Sequence, residues 1–292
     1  MSGEFKIIDG ISDIADQYDG FILDLWGVIH DGQNVLPGVI NCLERLKEQE
    51  KRICLLSNAP RRNGAVIEKL SSMGVGRELY DHVLTSGEAT YQALKNRTDP
   101  WYKSLGYNCY HIGPERDLNV MEVQGLTLVN SVEDAHFVMN TGVVDFDETL
   151  ADYEECLQSC VKAKLPMICA NPDKIVHIED QLVYCAGSLS DRYEELGGDV
   201  KYHGKPYPSV YQKCFELLGV ENKDKIIAIG DSMITDIAGA KAAGIGSILV
   251  MSGIHRNEIM NHLESSISEE NLEILLKKHK YRPENYMKSF VW

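Results

Sequence analysis

Phe21-Ile22-Leu23-Asp24-Leu25-Trp26-Gly27-Val28 is the stretch that decides how this chain reads. Three apolar residues run into an aspartate and then a turn. A carboxylate at the end of a buried strand is costly to place unless it is used. In open α/β sheets that strand edge is where ligands bind. Far along the chain, Ile226-Ile227-Ala228-Ile229 repeats the pattern and ends in Gly230-Asp231, with Asp236 one turn into what reads as a helix. Strand-end carboxylates that meet in the fold suit a hard cation such as Mg²⁺. Together the two segments make metal-assisted phosphoryl transfer the leading reading.

Outward from these segments, strand and helix patterns alternate. Residues 21–25 read as a strand. Pro37-Gly38 introduces a helix over 39–49 with Ile40, Leu43 and Leu46 on one face. A strand over 52–57, a helix over 64–73 stopped at Gly74, and a strand over 82–86 follow. The far end repeats the alternation with a strand over 226–230, a helix over 234–243 and a strand over 247–251. Such alternation predicts an α/β fold, a doubly wound parallel sheet covered on both faces. The helical spacing of Leu272, Ile274, Leu275 and Leu276 over 269–278 predicts a helix packed back on that sheet.

Residues 87–200 form a separate α/β set. Its signals are Cys109-Tyr110-His111-Ile112-Gly113, His136-Phe137-Val138-Met139-Asn140, a helix over 149–163 and Met167-Ile168-Cys169-Ala170. The expected organisation is a core of 1–86 and 201–292 with 87–200 inserted as a cap. A cap excludes water from phosphoryl transfer and supplies substrate contacts.

Composition narrows the classes. Of 292 residues, 44% are hydrophobic and 25% charged, as in globular domains. Apolar stretches are of strand length, too short to cross a bilayer. Met1-Ser2-Gly3-Glu4-Phe5-Lys6 lacks the basic start and apolar run of a signal peptide. Eight scattered cysteines form no CxxC pair, so buried free thiols in a reducing cytoplasm are expected, not disulfides or zinc. Cys156 and Cys160 lie one helical turn apart without completing a metal site. The net charge of −15 disfavours nucleic acid as a partner. It also means that a phosphate site has to be made locally positive.

Four pieces carry the chemistry, in order. Asp24 suits a carboxylate nucleophile, although an aspartate there also starts turns. Leu55-Leu56-Ser57-Asn58-Ala59-Pro60-Arg61-Arg62 offers a hydroxyl and backbone N–H groups to a phosphate, or an ordinary helix cap. In His203-Gly204-Lys205-Pro206 a constrained lysine can neutralise a phosphoryl oxygen. Gly230-Asp231-Ser232-Met233-Ile234-Thr235-Asp236 sets two carboxylates toward one cation, directly or through water.

Taken together, in this order and at strand ends, the four pieces resemble the haloacid dehalogenase superfamily. The long insertion after Ser57 is similar to its type IIA branch, the NagD-like and p-nitrophenylphosphatase-like enzymes. Ala170-Asn171-Pro172-Asp173 is similar to a recurring Asn-Pro-Asp segment of that branch. The resemblance runs from about Phe21 to Val250. It implies a Rossmann-like core, a Mg²⁺ cofactor, a mobile α/β cap and a small phosphorylated metabolite, such as a sugar phosphate or nucleotide-like ester, as substrate. It also implies that Asp24 is nucleophile and metal ligand, that Ser57 and the Asn58 amide bind the phosphoryl group, and that Asn171 contributes to substrate binding. Lys205 would steady the charge, and Asp231 would hold the metal with Asp236 in support. Caps of this branch often offer a homodimer surface. No membrane partner is implied.

One departure stands out. Phosphatases of the superfamily usually carry a second aspartate two residues after the nucleophile, to protonate the leaving oxygen and later activate water. Here that residue is Trp26. Its backbone carbonyl still suits a metal, but an indole is neither acid nor base. Three consequences are open: slow turnover of ordinary esters, a substrate with a good leaving group, or a substitute group, with His30, Asp31 and Asp145 as candidates. The indole also suits a hydrophobic wall or a stacking platform. The alternative to an enzyme is a catalytically weak binding or regulatory protein on the same scaffold. Dehalogenation fits the acidic pair Asp231 and Asp236 less well than phosphate chemistry does.

Overall fold

In a computed structural model, residues 6–178, 181–261 and 266–292 are described. The reading of the first six residues as lacking a signal peptide therefore falls, but for Lys6, outside the described residues. The chain divides into two compact units. The first takes in Met1–Ser57, Ile67–Leu84 and Pro206–Trp292, and the second Asn58–Val66 and Thr85–Lys205.

The first unit is built on a seven-stranded sheet. In chain order its strands are β1 (Ile7–Ile8), β2 (Gly20–Leu23), β3 (Arg52–Ser57), β4 (His82–Thr85), β5 (Ile226–Gly230), β6 (Gly246–Val250) and β7 (Asn285–Met287). Their order across the sheet is β1-β7-β6-β5-β2-β3-β4. From β2 the chain moves outward through β3 and β4, then crosses to the other side of β2 and moves outward again through β5 and β6. The order thus reverses between β2 and β5. Both strands are buried throughout, and they pair in parallel with Leu23 opposite Ile229. A strand covered on both faces has to be apolar at every position, which is why these segments read as unbroken runs.

One layer of the core joins Ile22, Cys54, Leu84 and Ala228 of the sheet to Val210, Tyr211, Cys214 and Leu218 of the helix Pro208–Leu218. Another joins Leu249, Met251 and Tyr286 to Leu272, Leu275 and Leu276 of the helix Glu269–Lys278. The helix Val39–Glu48 buries Val39, Cys42, Leu43 and Leu46 and leaves Ile40 half-buried.

Three expectations shift. The strand expected over 21–25 ends at Leu23, because Leu25 turns to accept the N–H groups of Ile29 and His30 at its carbonyl. The helix expected from 234 starts as a π turn over Met233–Ile237 before the α-helix Ala238–Ala243. Ile274, read as part of the apolar face, is 47% exposed, since the stripe of that helix is set by its three leucines.

The second unit has a five-stranded parallel sheet in the order Val200–Tyr202, Met167–Cys169, Phe137–Asn140, Asn108–Ile112, Thr127–Val129. A separate two-stranded antiparallel sheet pairs Ile175–Ile178 with Gln181–Tyr184. Its helix Leu150–Lys162 starts at a capping box in which Thr149 and Asp152 satisfy each other's backbone groups. Separate clusters around Val138, Leu157 and Leu189, and around Phe137, Met139 and Ile168, give the unit its own core. All eight cysteines are free thiols, and seven are buried. Among the described residues no helix is long and apolar enough to cross a membrane.

The helix Glu269–Lys278 supplies a test of this packing. Leu276→Ala should cost about 2–5 kcal/mol in chemical denaturation, whereas Ile274→Ala should change stability by less than about 0.5 kcal/mol.

Candidate active site

In open α/β sheets a crevice forms beyond the carboxyl ends of the strands where the order reverses, here between β2 and β5. Asp24 extends the ladder by one bond, its N–H donating to the Ile229 carbonyl at 2.9 Å. That bond sets Asp24 level with the end of β5, from which Gly230 leads directly into Asp231. One carboxylate oxygen from each of Asp24, Asp231 and Asp236 lies within 4.8 Å of the others, and all three residues are buried.

Each carboxylate is held. The Leu25 N–H donates to Asp24 Oδ1 at 2.7 Å, the Ile254 N–H to Asp231 Oδ2 at 2.7 Å, and the Ser232 N–H to Asp236 Oδ2 at 3.2 Å. The walls around Asp231 are bare backbone. A Cβ at Gly27 or at Gly253 would lie 2.1 Å from its Oδ2, and Gly27 also adopts φ +77°. Three buried carboxylates repel one another unless a cation is shared. An all-oxygen donor set of this kind fits Mg²⁺ or a similarly hard ion.

The turn after Asp24 is closed by its own contacts. Gly27 N–H donates to the His30 carbonyl at 2.9 Å, and Gly32 N–H donates to His30 Nδ1 at 3.0 Å. The Trp26 and His30 rings meet edge to face, with centroids 5.7 Å apart. Burial, and then the charge of Lys69, push His30 down to about 4, so it is neutral at physiological pH. Asp31 is exposed and accepts the N–H groups of Gln33 and Asn34, which hold its carboxyl below the usual range. Ser57 ends β3 in the first unit, half-buried.

In the second unit Asn58 and Lys205 come together, each only 3% exposed. The Asn58 amide spans the Lys205 backbone: Oδ1 accepts the Lys205 N–H at 2.7 Å, and Nδ2 donates to the Lys205 carbonyl at 3.0 Å. Ser86 Oγ donates to the same Oδ1 at 3.1 Å, and Asp173 Oδ1 accepts from Nδ2 at 2.8 Å. Gly204 has φ +119°, and a Cβ there would lie 2.1 Å from Ser86 Oγ, so both conformation and space call for glycine. Asn171 turns inward on its own loop, where Oδ1 accepts the Asp173 N–H at 3.1 Å. His203 contacts the Tyr102 hydroxyl, and desolvation, then Lys201, lower it to about 4.

The neighbouring arginines are engaged with acids. Arg61 donates to Asp117 at 2.8 Å, and Arg62 donates to Glu88 at 2.6 Å while stacking on Tyr91. Burial raises Asp117 despite Arg61 beside it. Asp145 lies in an exposed loop of the same unit, where the Glu148 carboxylate accepts its N–H.

The structure thus gathers Asp24, Asp231 and Asp236 in the first unit, and Asn58 with Lys205 in the second. Sequence reasoning missed Ser86, Asp173, Gly204, Gly253 and Ile254. Of these, Gly204, next to Lys205, and Asp173, within the Asn-Pro-Asp segment, stood in stretches singled out for chemistry, and Ser86 only as the end of a strand.

Comparison with known proteins gives a consistent picture. A model described as haloacid dehalogenase-like hydrolase matches residues 21–127, and a second HAD-like hydrolase model matches 202–271. A haloacid dehalogenase-like hydrolase from Brucella suis superposes with a TM-score of 0.82 at 30% identity, covering 98% of this chain and 100% of that one. A D-glycerol 3-phosphate phosphatase of Mycobacterium tuberculosis is 25% identical over 83% of the chain, a match that takes in 65% of that protein. The 5′-nucleotidase YutF of Bacillus subtilis is 26% identical over 83% of the chain and 91% of its own length.

The Asn58 clamp predicts a stability effect. Asn58→Ala orphans the Lys205 N–H and should cost about 1–3 kcal/mol in denaturant unfolding. Asn58→Asp should not restore it, because an acceptor would then face the Asp173 carboxylate.

Proposed function

The chain belongs to the haloacid dehalogenase-like hydrolase family, and from that premise we infer that it is a phosphoric monoester hydrolase acting on a small phosphorylated metabolite. The observation that carries the reading is the buried group Asp24, Asp231 and Asp236 at the point where the strand order reverses. The phosphatase and nucleotidase names of the relatives support it and make sugar, glycerol and nucleotide phosphates the classes to test first.

In this reading an Asp24 carboxylate oxygen attacks phosphorus and forms an aspartyl-phosphate as the bond to the leaving oxygen breaks. Water then releases phosphate. Asp24, the Trp26 carbonyl and Asp231 would hold Mg²⁺, with Asp236 in support. When bound, the ion draws negative charge from the phosphoryl oxygens and orients them for in-line transfer. The Ser57 hydroxyl and the Asn58 N–H bind the phosphoryl group, Lys205 offsets its charge, and Asn171 contacts the substrate. The second unit serves as the cap that selects substrate and keeps water out. Eight free thiols support a reducing, cytoplasmic setting.

A second reading, a binding or regulatory protein on this scaffold, is favoured by one observation, the tryptophan two residues after Asp24. The two readings part at Asp24. Asp24→Asn should abolish phosphate release while leaving the melting temperature nearly unchanged. Release that survives this change rules out the nucleophile.

The metal is tested separately. Mg²⁺ should raise both the melting temperature and the rate, and EDTA should remove both effects. Ca²⁺ should bind but inhibit, since it accepts looser and higher coordination. A melting curve indifferent to divalent ions would remove the metal from the reading.

A further inference from the structure

We propose that Trp26 restricts this enzyme to phosphoryl donors whose leaving group departs as a stable anion without a proton: a carboxylate, a phosphate or an acidic phenolate. The inference rests on the phosphatase reading and deepens it.

Trp26 stands two residues after Asp24 and directly before Gly27, whose backbone lies against the Asp231 carboxylate. The indole is wedged in place. A Cβ at Gly32 would lie 2.4 Å from its Cη2, so the ring rests on bare backbone, and His30 meets it edge to face. The backbones of Trp26 and His30 are bridged as well. At the position where the resemblance implies a proton donor, two residues after Asp24, stands a fixed side chain that neither gives nor accepts a proton.

Among the described residues of the first unit, the neighbours of Trp26 do not fill the gap. His30 Nδ1 is occupied by the Gly32 N–H. Asp31 faces solvent and caps its own turn through Gln33 and Asn34. Among the described residues the acids gathered with Asp24 are Asp231 and Asp236, and both accept backbone N–H groups while facing the cation position.

The two steps balance without a side-chain acid or base. First, the Asp24 Oδ–P bond forms while the P–O bond to the leaving group breaks, and the electron pair leaves unprotonated on that oxygen. Second, the oxygen of water bonds to phosphorus while the Oδ–P bond breaks, and the proton of that water passes to the phosphate product and solvent. The first step is fast only for good leaving groups. The second lacks a base, so phosphorylated Asp24 accumulates.

The experiment measures kcat/KM with Mg²⁺ for acetyl phosphate, p-nitrophenyl phosphate and glycerol phosphate, and acid-quenches each reaction for intact mass. Wild type should favour the first two over glycerol phosphate by at least about 10²-fold, the usual contribution of a general acid. Acetyl phosphate should leave a one-phosphoryl mass gain that maps to Asp24. Trp26→Asp should raise glycerol phosphate turnover at least about tenfold and diminish the adduct. If that variant fails to fold, Trp26→Phe, which keeps an apolar wedge, should keep the wild-type preference, and the wild-type adduct is read without any variant. Wild-type rates that are level across the three substrates, or no adduct during turnover of acetyl phosphate, overturn the proposal. Release from none of the substrates, or release that survives Asp24→Asn, instead takes down the phosphatase reading and this proposal with it.

Discussion

The structure of the first unit turns on two parallel strands ending level with each other. Leu23 sits opposite Ile229, so the residues that follow, Asp24 on one strand and Gly230-Asp231 on the other, emerge side by side. A slip of one residue would turn Asp24 to the opposite face of the sheet and separate the carboxylates. Register in such a sheet is set by the apolar side chains on both faces, not by the acids. The hydrophobic core therefore does the positioning, and the acids are carried to the edge by it. Burying like charges so close is unfavourable on its own. The amides of Leu25, Ser232 and Ile254 offset part of that cost through hydrogen bonds.

The parts of this arrangement that could be read in the sequence are those with a one-dimensional signal. Buried parallel strands appear as apolar runs, and an acid at the end of such a run stands out against it. Asp24 and Asp231 were legible for that reason, Asp236 by its place one turn into the following helix, and the helix Glu269–Lys278 by its leucine spacing. Its Ile274 was misplaced because a run of neighbouring aliphatics does not say which of them faces out. The outer strands, Ile7–Ile8 and Asn285–Met287, are too short to carry a period. The π turn over Met233–Ile237 leaves no mark, since one extra residue per turn changes geometry without changing composition.

The contacts that hold the site were less legible than the site itself. Gly253 is an ordinary glycine in sequence and a wall of the Asp231 pocket in space. Ser86 and Asp173 meet at Asn58 from stretches 28 and 115 residues away. Such long-range polar pairings have no local periodicity by which a single sequence could show them. The tryptophan at position 26 is the reverse case. The sequence showed the departure plainly, and only the packing on Gly32 and His30 showed that the ring is pinned.

The side chain of Asn58 has one more consequence. Asn58 and Lys205 are the first and last residues of the second unit, and two hydrogen bonds fasten one to the backbone of the other. The unit is therefore buckled at its neck, its first and last residues held side by side. Ends held side by side keep the loop-closure cost of such a unit growing only slowly with its length. On this view the buckle fixes the unit's outermost ends, while Ile67–Leu84, which belongs to the first unit, still divides it between them.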